Sequence, residues 1–317
     1  MPVLKRPVNI GTVILPSRSA IVAAQTQVLV VGGGPSGLGA AVGAALAGAD
    51  VILAQRYGFL GGNATAALVI PISSYFTHKN EHQKRGSTTL FPTDHGDGSP
   101  TIAGVLGDMV SRLVLAGGAL PPSDRTGYTV PFDPEIFKAV AFGMLDSAGA
   151  NYLLHCFASG AFMEDTVSGA VFETKSGPVV IRAQVVVDCT GDGDMAASAG
   201  AAFEVGRDDG LVQPMTLLFR MAEFEKAAFD AYVKEHPDQW YGIHGLWDLI
   251  KKAEQAGELD LPREDILFFG NPHEKEVDVN SSRIINVLGT DVWDLTYAEW
   301  EGRRQVNMIA AFFRRYV

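Results

Sequence analysis

The chain has 317 residues, enough for about two domains. With 47% apolar residues it is no disordered chain, and no apolar run approaches the ~20 residues of a membrane helix. A net charge of −11, with both signs interspersed, argues against a nucleic-acid or anionic-membrane partner. Residues 1–26 read as an extended lead-in, whose apolar stretch is broken by Pro7, Asn9, Gly11 and Pro16 and makes a poor signal peptide. Two cysteines, Cys156 and Cys189, cannot build a disulfide framework or a cysteine metal cluster, and fit buried thiols in a reducing cytoplasm.

An apolar strand over residues 28–31 runs directly into Gly32-Gly33-Gly34-Pro35-Ser36-Gly37, followed by an Ala-rich helix and a second strand over 51–54. This is a GxGxxG loop in the strand–turn–helix–strand setting that gives it meaning. Gly32 allows the tight turn, Gly34 lets the backbone approach a pyrophosphate, and Gly37 lets helix and strand pack closely. The phosphates of a dinucleotide would meet free N–H groups at the positive end of the helix. A plain glycine turn at a helix start would not need the whole pattern.

Residues 76–100 are polar and rich in Gly and Pro, and read as a long surface loop or lid. A helix is expected over 101–115, with Val105, Met109 and Leu113 near one face. A second is expected over 133–147, with Asp133 as N-cap, Pro134 in the first turn and Gly149 beyond the end. Short strands over 152–158, 160–164, 168–174 and 178–183 suggest an antiparallel meander feeding a buried strand at 185–188. Residues 210–300 read as mixed α/β, with helices near 223–236 and 246–256, and a last helix covers 296–315.

The second diagnostic segment is VVVDCTGDGDMAASA, residues 185–199. A buried strand ends in Thr190-Gly191-Asp192 and a small-residue helix begins. Ligands of open α/β sheets bind at the carboxyl ends of strands, so this turn belongs beside the first glycine loop if both strands share a sheet. Asp192 can then accept a hydrogen bond from a sugar or ribityl hydroxyl. The plainer alternative is that Asp192 or Asp194 only caps the helix.

GGGPSG, YGFLGGNAT and CTGDGD at this separation resemble the FAD-dependent oxidoreductases of the glutathione-reductase-like flavoprotein superfamily. The resemblance covers about residues 28–206 and continues weakly through VNSSRI (279–284) and the last helix. It implies that Gly32, Gly34, Pro35, Ser36 and Gly37 cradle the FAD pyrophosphate. It places Gly61, Gly62, Asn63, Ala64 and Thr65 near the flavin or ribityl chain and the Ala158 backbone near the adenine. Thr190, Gly191 and Asp192 would close over the cofactor.

The family's acidic residue at the end of the second strand is replaced by Gln55, which can donate to and accept from a ribose hydroxyl but lacks a charge. Arg56 beside it either meets the 2′-phosphate of NADP or is a solvated loop residue. The family's chain also continues past the last helix to contact the flavin, whereas this one stops at Val317. A second polypeptide completing the fold is the expectation.

The residues singled out for chemistry are His78 and Arg283, the latter as a carboxylate anchor or a salt-bridge partner. His78 and His82 lack a third ligand, so no metal site is expected. His155 reads as a core histidine. His244, near Trp240, Tyr241 and Trp247, either lines a substrate pocket or belongs to an ordinary packed core. The chain is thus expected to be α/β: a FAD/NAD(P)-binding Rossmann-like three-layer domain (1–75 and 101–206) with an antiparallel β-meander, a loop or lid at 76–100, and a mixed α/β substrate or cap domain (207–317). The expected reaction is hydride transfer between a small organic substrate and FAD. The alternatives are an NAD(P)-dependent dehydrogenase and a non-catalytic FAD-binding subunit.

Overall fold

The computed structural model describes residues 11–76, 86–92 and 100–317. Strand β1 (Ile21–Val31) becomes wholly buried only over its last three residues, then enters the glycine loop and helix α1 (Pro35–Leu46). Strand β2 (Val51–Ala54) returns parallel to β1, with Val28 opposite Val51 and Val31 opposite Ala54. The residues before Val28, expected to be a lead-in, thus supply half of the longest parallel pairing in the sheet.

Helix α2 (Val105–Leu115) starts later than expected, because Gly104 at φ 66° breaks the helix before it. Helix α3 (Pro134–Ala148) has both expected ends. Asp133 accepts from Glu135 and Ile136 N–H, and Gly149 closes the helix at φ 76°. These three helices pack together over one face of the sheet, with Leu38, Ala41, Leu113, Phe132, Ala141 and Leu145 in the shared core.

The meander differs from its expected form. The apolar run at 152–158 is split between β3 (Asn151–Leu153), a parallel edge strand beside β2, and β4 (Phe157–Met163). His155 sits at the break with φ 56°, exposed in a bend rather than buried in a strand, so it is not the core histidine expected. Strand β5 (Val167–Thr174) pairs antiparallel with β4 and with β6 (Gly177–Asp188). The two strands expected at 178–183 and 185–188 are one, and β6 also runs parallel to β1 along nearly its whole length. The order is β3-β2-β1-β6-β5-β4. Pairing β1 with β6 brings the two glycine-bearing strand ends side by side: Val31 lies opposite Asp188, and Cys189 N–H donates to Val31 C=O at 2.8 Å.

A short helix, α4 (Asp194–Ser198), follows β6. The remaining chain forms a second, antiparallel sheet. It contains β7 (Phe219–Ala222), β8 (Trp240–Tyr241), β9 (His244–Gly245), β10 (Ile266–Gly270) and β11 (Glu276–Val279), in the order β7-β11-β10-β9-β8. Helices α5 (Lys226–Glu235), α6 (Trp247–Gln255) and α7 (Val292–Tyr316) cover it. Its core is aromatic: Phe229, Trp240, Phe268 and Phe313 stack edge to face or tilted, with ring centroids 4.8–5.5 Å apart.

Residues 86–92, expected in a surface loop or lid, are strapped onto this second core. Leu90 is buried within it, Gly270 N–H donates to Leu90 C=O at 2.8 Å, and Gly86 N–H donates to Trp240 C=O at 2.9 Å. Among the described residues no helix is long and apolar enough to cross a membrane.

Candidate functional site

The ends of β1 and β6 define the site. Gly32 has φ 107°, a region closed to most side chains, and a Cβ there would lie 2.1 Å from Cys189 O. A Cβ on Gly37 would lie 1.8 Å from Gly32 O. These glycines are therefore demanded by backbone packing. Gly34 differs: a Cβ there would meet only Gly62 Cα, at 3.8 Å. Gly34 is also the N-cap of α1 and offers no side-chain cap, so the first N–H groups of the helix are left for a ligand. The exposed Pro35 and Ser36 form the first turn beside them.

The GGNAT segment closes against this loop. Gly61 N–H donates to Gly33 C=O at 2.8 Å, and a Cβ on Gly62 would strike Gly34 Cα at 2.8 Å. The Thr65 hydroxyl is buried and donates to Leu60 C=O at 2.7 Å, so this side chain shapes the turn. Asn63 is exposed, and with Ala64 and Pro35 it edges an apolar cavity of about 290 Å3 reaching Met109, Phe132 and Phe137.

A smaller cleft of about 50 Å3 gathers Gly32, Gln55, Arg56, Ala158 and Thr190. Of these, Gln55, Arg56 and Ala158 were expected at the adenosine end of the cofactor, Gly32 at its pyrophosphate and Thr190 closing over it. Gln55 is 5% exposed; its Oε1 accepts from Arg56 N–H at 2.9 Å and its Nε2 donates to Phe59 C=O at 3.3 Å. An amide has one further donor and one further lone pair, so Gln55 retains capacity for a ribose hydroxyl. The Arg56 guanidinium lies 4.8 Å from the Tyr57 ring centroid, and Tyr57 stacks on Phe59.

The CTGDGD turn departs from expectation in its internal wiring. Neither Asp192 nor Asp194 caps α4 with its side chain. Asp188, which the sequence reading passed over, ties the turn together. Its carboxylate accepts from Thr190 N–H at 3.0 Å, the Thr190 hydroxyl at 2.7 Å and Ala196 N–H at 2.9 Å. Thr190 Oγ1 in turn accepts from Asp194 N–H at 3.0 Å. The Thr190 hydroxyl is therefore occupied, while Gly191 and Asp192 stand exposed at the tip. The available signal was an Asp at a strand end, two residues before a Thr.

Burial alone would raise the Asp188 carboxyl, but the Thr190 hydroxyl and the backbone N–H groups of Ala196 and Thr190 outweigh it and hold the group below the usual carboxylate range. Because its folded value is depressed, its contribution is present above the unfolded value near 3.9 and is lost as pH falls through the folded one. Asp188→Asn is expected to cost about 1–2 kcal/mol at pH 7. The gap to wild type should narrow as pH falls from about 5 toward 3, as measured by urea midpoints. A gap that persists unchanged at pH 3 would show that the ionised carboxylate is not the cause.

Cys156 is buried, and burial raises its thiol despite the Gln55 carbonyl nearby; Cys189, half-buried, is likewise raised by burial. His78 lies outside the described residues, as do His82 and His95. His244 forms a pair with Asp265, Nδ1 to Oδ2 at 2.7 Å, packed against the Trp247 ring. Arg283 is exposed, and among the described residues its guanidinium has no ion-pair or hydrogen-bond partner. The salt bridge offered as its plainer reading is not formed. Among the described residues no group of three or more His, Cys, Asp and Glu side chains is placed to hold a metal ion.

The model of a family described as "FAD dependent oxidoreductase" matches residues 27–317. The chain belongs to this family. The cradle fits the cofactor FAD: an open Gly34, an uncapped α1 and two adjoining strand ends are what a dinucleotide needs. No curated protein matches the chain.

Among solved structures, a geranylgeranyl bacteriochlorophyll reductase-like protein (Ta0516) from Thermoplasma acidophilum is 16% identical. It matches over 90% of this chain and 61% of its own, with a TM-score of 0.50. The THI4 protein of Thermovibrio ammonificans is 23% identical over 55% of this chain and 61% of its own, with a TM-score of 0.36. The myxobacterial chondrochloren halogenase CndH, described as a variant of FAD-dependent halogenases, is 13% identical over 92% and 57%, with a TM-score of 0.45. The first of these supports the α/β fold. The chain spans about three fifths of the length of each.

Proposed function

We propose that this FAD-dependent oxidoreductase transfers a hydride between a small organic substrate and the flavin, on the glutathione-reductase-like plan. In this reading residues 1–75 and 101–206 form the FAD-binding unit and 207–317 the substrate-facing unit. The observation that carries it is the junction of β1 and β6, where the glycine loop, the GGNAT turn and the CTGDGD turn meet at the carboxyl ends of adjacent parallel strands.

FAD, when bound, supplies the hydride chemistry. The chain's own residues bind and orient. The free N–H groups of the first turn of α1 hold the pyrophosphate. Gln55 and Arg56 face the adenosine sugar, and Ala158 offers its backbone to the adenine. Gly61, Gly62 and Asn63 line the path toward the flavin, and Asp188 keeps Gly191 and Asp192 in place across from them.

The test is a visible absorbance spectrum of the purified chain, followed by denaturation and identification of what is released. A yellow protein releasing about one FAD per chain is the expected result. Such a chain needs no second polypeptide to hold its cofactor. A colourless protein releasing a nicotinamide dinucleotide would overturn the reading in favour of an NAD(P)-dependent dehydrogenase.

A further inference from the structure

We propose that the concavity of about 610 Å3 beside Arg283 binds the carboxylate of an anionic substrate, with the Arg283 guanidinium as its anchor. This deepens the oxidoreductase reading above and rests on it for the identity of the site, though not for the binding chemistry.

The lining includes Arg207, Gln213, Arg283, Ile285 and Asn286, with no carboxylate among them. Arg207 is already neutralised, its Nε and Nη2 bonded to the two oxygens of Asp209 at 3.2 and 2.8 Å. The uncompensated charge in the wall is that of Arg283. Most arginines of the chain are spent locally: Arg112, Arg182, Arg220, Arg263 and Arg304 each meet a carboxylate within 3.0 Å. Among the described residues no carboxylate comes within 4.0 Å of the Arg283 guanidinium, although Asp260, Glu264, Asp265 and Glu301 line the neighbouring hollows that it also edges.

The segment carrying Arg283 is also held with unusual completeness. The buried Ser281 hydroxyl accepts from Leu267 N–H and donates to Leu267 C=O, both at 2.8 Å. Ser282, also buried, does the same with Leu217, at 2.7 and 3.1 Å. The Gln305 amide, 2% exposed, accepts from Arg283 N–H at 2.7 Å and donates to Arg283 C=O at 3.1 Å. Ile284 and Met215 exchange two backbone bonds of 2.9 Å. Eight hydrogen bonds thus fix four consecutive residues, counting two at each. Among the described residues the side chain they present has no hydrogen-bond or ion-pair partner. Preorganisation of this kind lowers the ordering cost of gripping a ligand.

The place is right for a substrate. A Cβ on Gly289 would lie 3.6 Å from Met215 Cε and 3.9 Å from Asp192 Oδ1, so the Arg283 segment and the exposed CTGDGD tip face each other across Gly289. An arginine fork matches a carboxylate with two parallel N–H···O bonds, which selects a planar anion over a neutral group of the same shape.

The experiment is titration calorimetry of the purified chain, FAD-loaded and FAD-stripped, with benzoate against benzamide and succinate against succinamide. At least one acid is expected to bind about tenfold to a hundredfold tighter than its amide, the range of a charge-assisted bond. Arg283→Ala should erase that preference, and Arg283→Lys should restore part of it as a point charge without the fork. Among the described residues the Arg283 side chain makes no hydrogen bond or ion pair, so both variants should keep the wild-type melting temperature. If neither acid outbinds its amide, or the preference survives Arg283→Ala, the proposal is overturned. A preference that depends on Arg283 in a chain retaining no flavin would support the anion site and overturn the flavin reading alone.

Discussion

Gly37→Ala is expected to leave a chain that cannot retain FAD and that unfolds at a clearly lower denaturant concentration. The added methyl would sit 1.8 Å from Gly32 O and 2.9 Å from Gly32 C, both backbone atoms. Backbone cannot rotate aside as a flexible side chain can. Gly32 is itself pinned: its N–H donates to Ala54 C=O at 2.8 Å, and its own Cα faces Cys189 O. Helix α1 must therefore slide away from the loop, carrying the free N–H groups out of register with the phosphates. Overpacking of this kind costs about 1–3 kcal/mol in a core that can adjust, and here the partner is rigid main chain on a paired strand. Gly43→Ala in the same helix is the control. A Cβ at Gly43 meets nothing within 4 Å, and the change should stabilise by about 0.5–1 kcal/mol through helix propensity. FAD stoichiometry and urea midpoints of both variants decide the matter. Full flavin content in Gly37→Ala would mean that the close approach of helix and loop is unnecessary for binding.

The contrast between Gly37 and Gly43 also marks what was legible in the sequence. The strand–loop–helix–strand unit is local: its apolar periods, glycines and caps lie within one short stretch, and so does their physical cause. Helix α3 was readable at both ends for the same reason, since Asp133 and Gly149 act on neighbouring residues. Helix α7 was placed four residues late because its cap, Asp291, was overlooked. The β3–β4 break was not readable. The run at 152–158 is interrupted only by bonds to distant residues, His155 N–H to Tyr57 C=O at 3.3 Å and Cys156 N–H to Gln55 C=O at 3.1 Å. The site divides the same way. Glycine positions announced themselves, whereas the internal bonds of the Thr190 hydroxyl and the Gln55 amide become visible only in the folded chain. Arg283 showed the reverse: the pattern left a salt bridge open, and only the packed chain shows that no carboxylate among the described residues comes within 4.0 Å of it.

The second large effect is expected at Arg220, far from any motif. Arg220 on β7 faces Asp278 on β11 as a cross-strand pair, Nε to Oδ1 at 2.9 Å, and also meets Glu276 at 3.4 Å. Asp278 is 0% exposed, and burial raises its carboxyl above the usual value even though the Arg220 guanidinium pulls it down. Arg220 is held above its ordinary value: burial lowers it, but Asp278, Glu276 and Asp133 together outweigh burial. The cluster lies where the second sheet meets α3, since His273 Nε2 and Asp133 Oδ2 are 2.7 Å apart.

Arg220→Met keeps much of the apolar stem and removes the charge, leaving a buried carboxylate without a cation. Such a loss costs about 3–5 kcal/mol, against about 5–15 kcal/mol for the whole stability of a typical domain. The pH dependence carries a definite sign. A carboxyl whose folded value lies above its unfolded one binds a proton in the folded chain that the unfolded chain has released, so stability rises as pH falls through the folded value. The variant should therefore recover part of its loss between neutral pH and about pH 4, the region above the unfolded value. Arg220→Met combined with Asp278→Leu should recover most of it at pH 7, because an apolar pair of similar size replaces a buried ion pair at little cost. Urea unfolding of the three proteins at pH 7 and pH 5 checks both statements. A single variant within about 1 kcal/mol of wild type at pH 7 would mean that Asp278 is already neutral in the folded protein, and that the sheet is held there by its aromatic core alone.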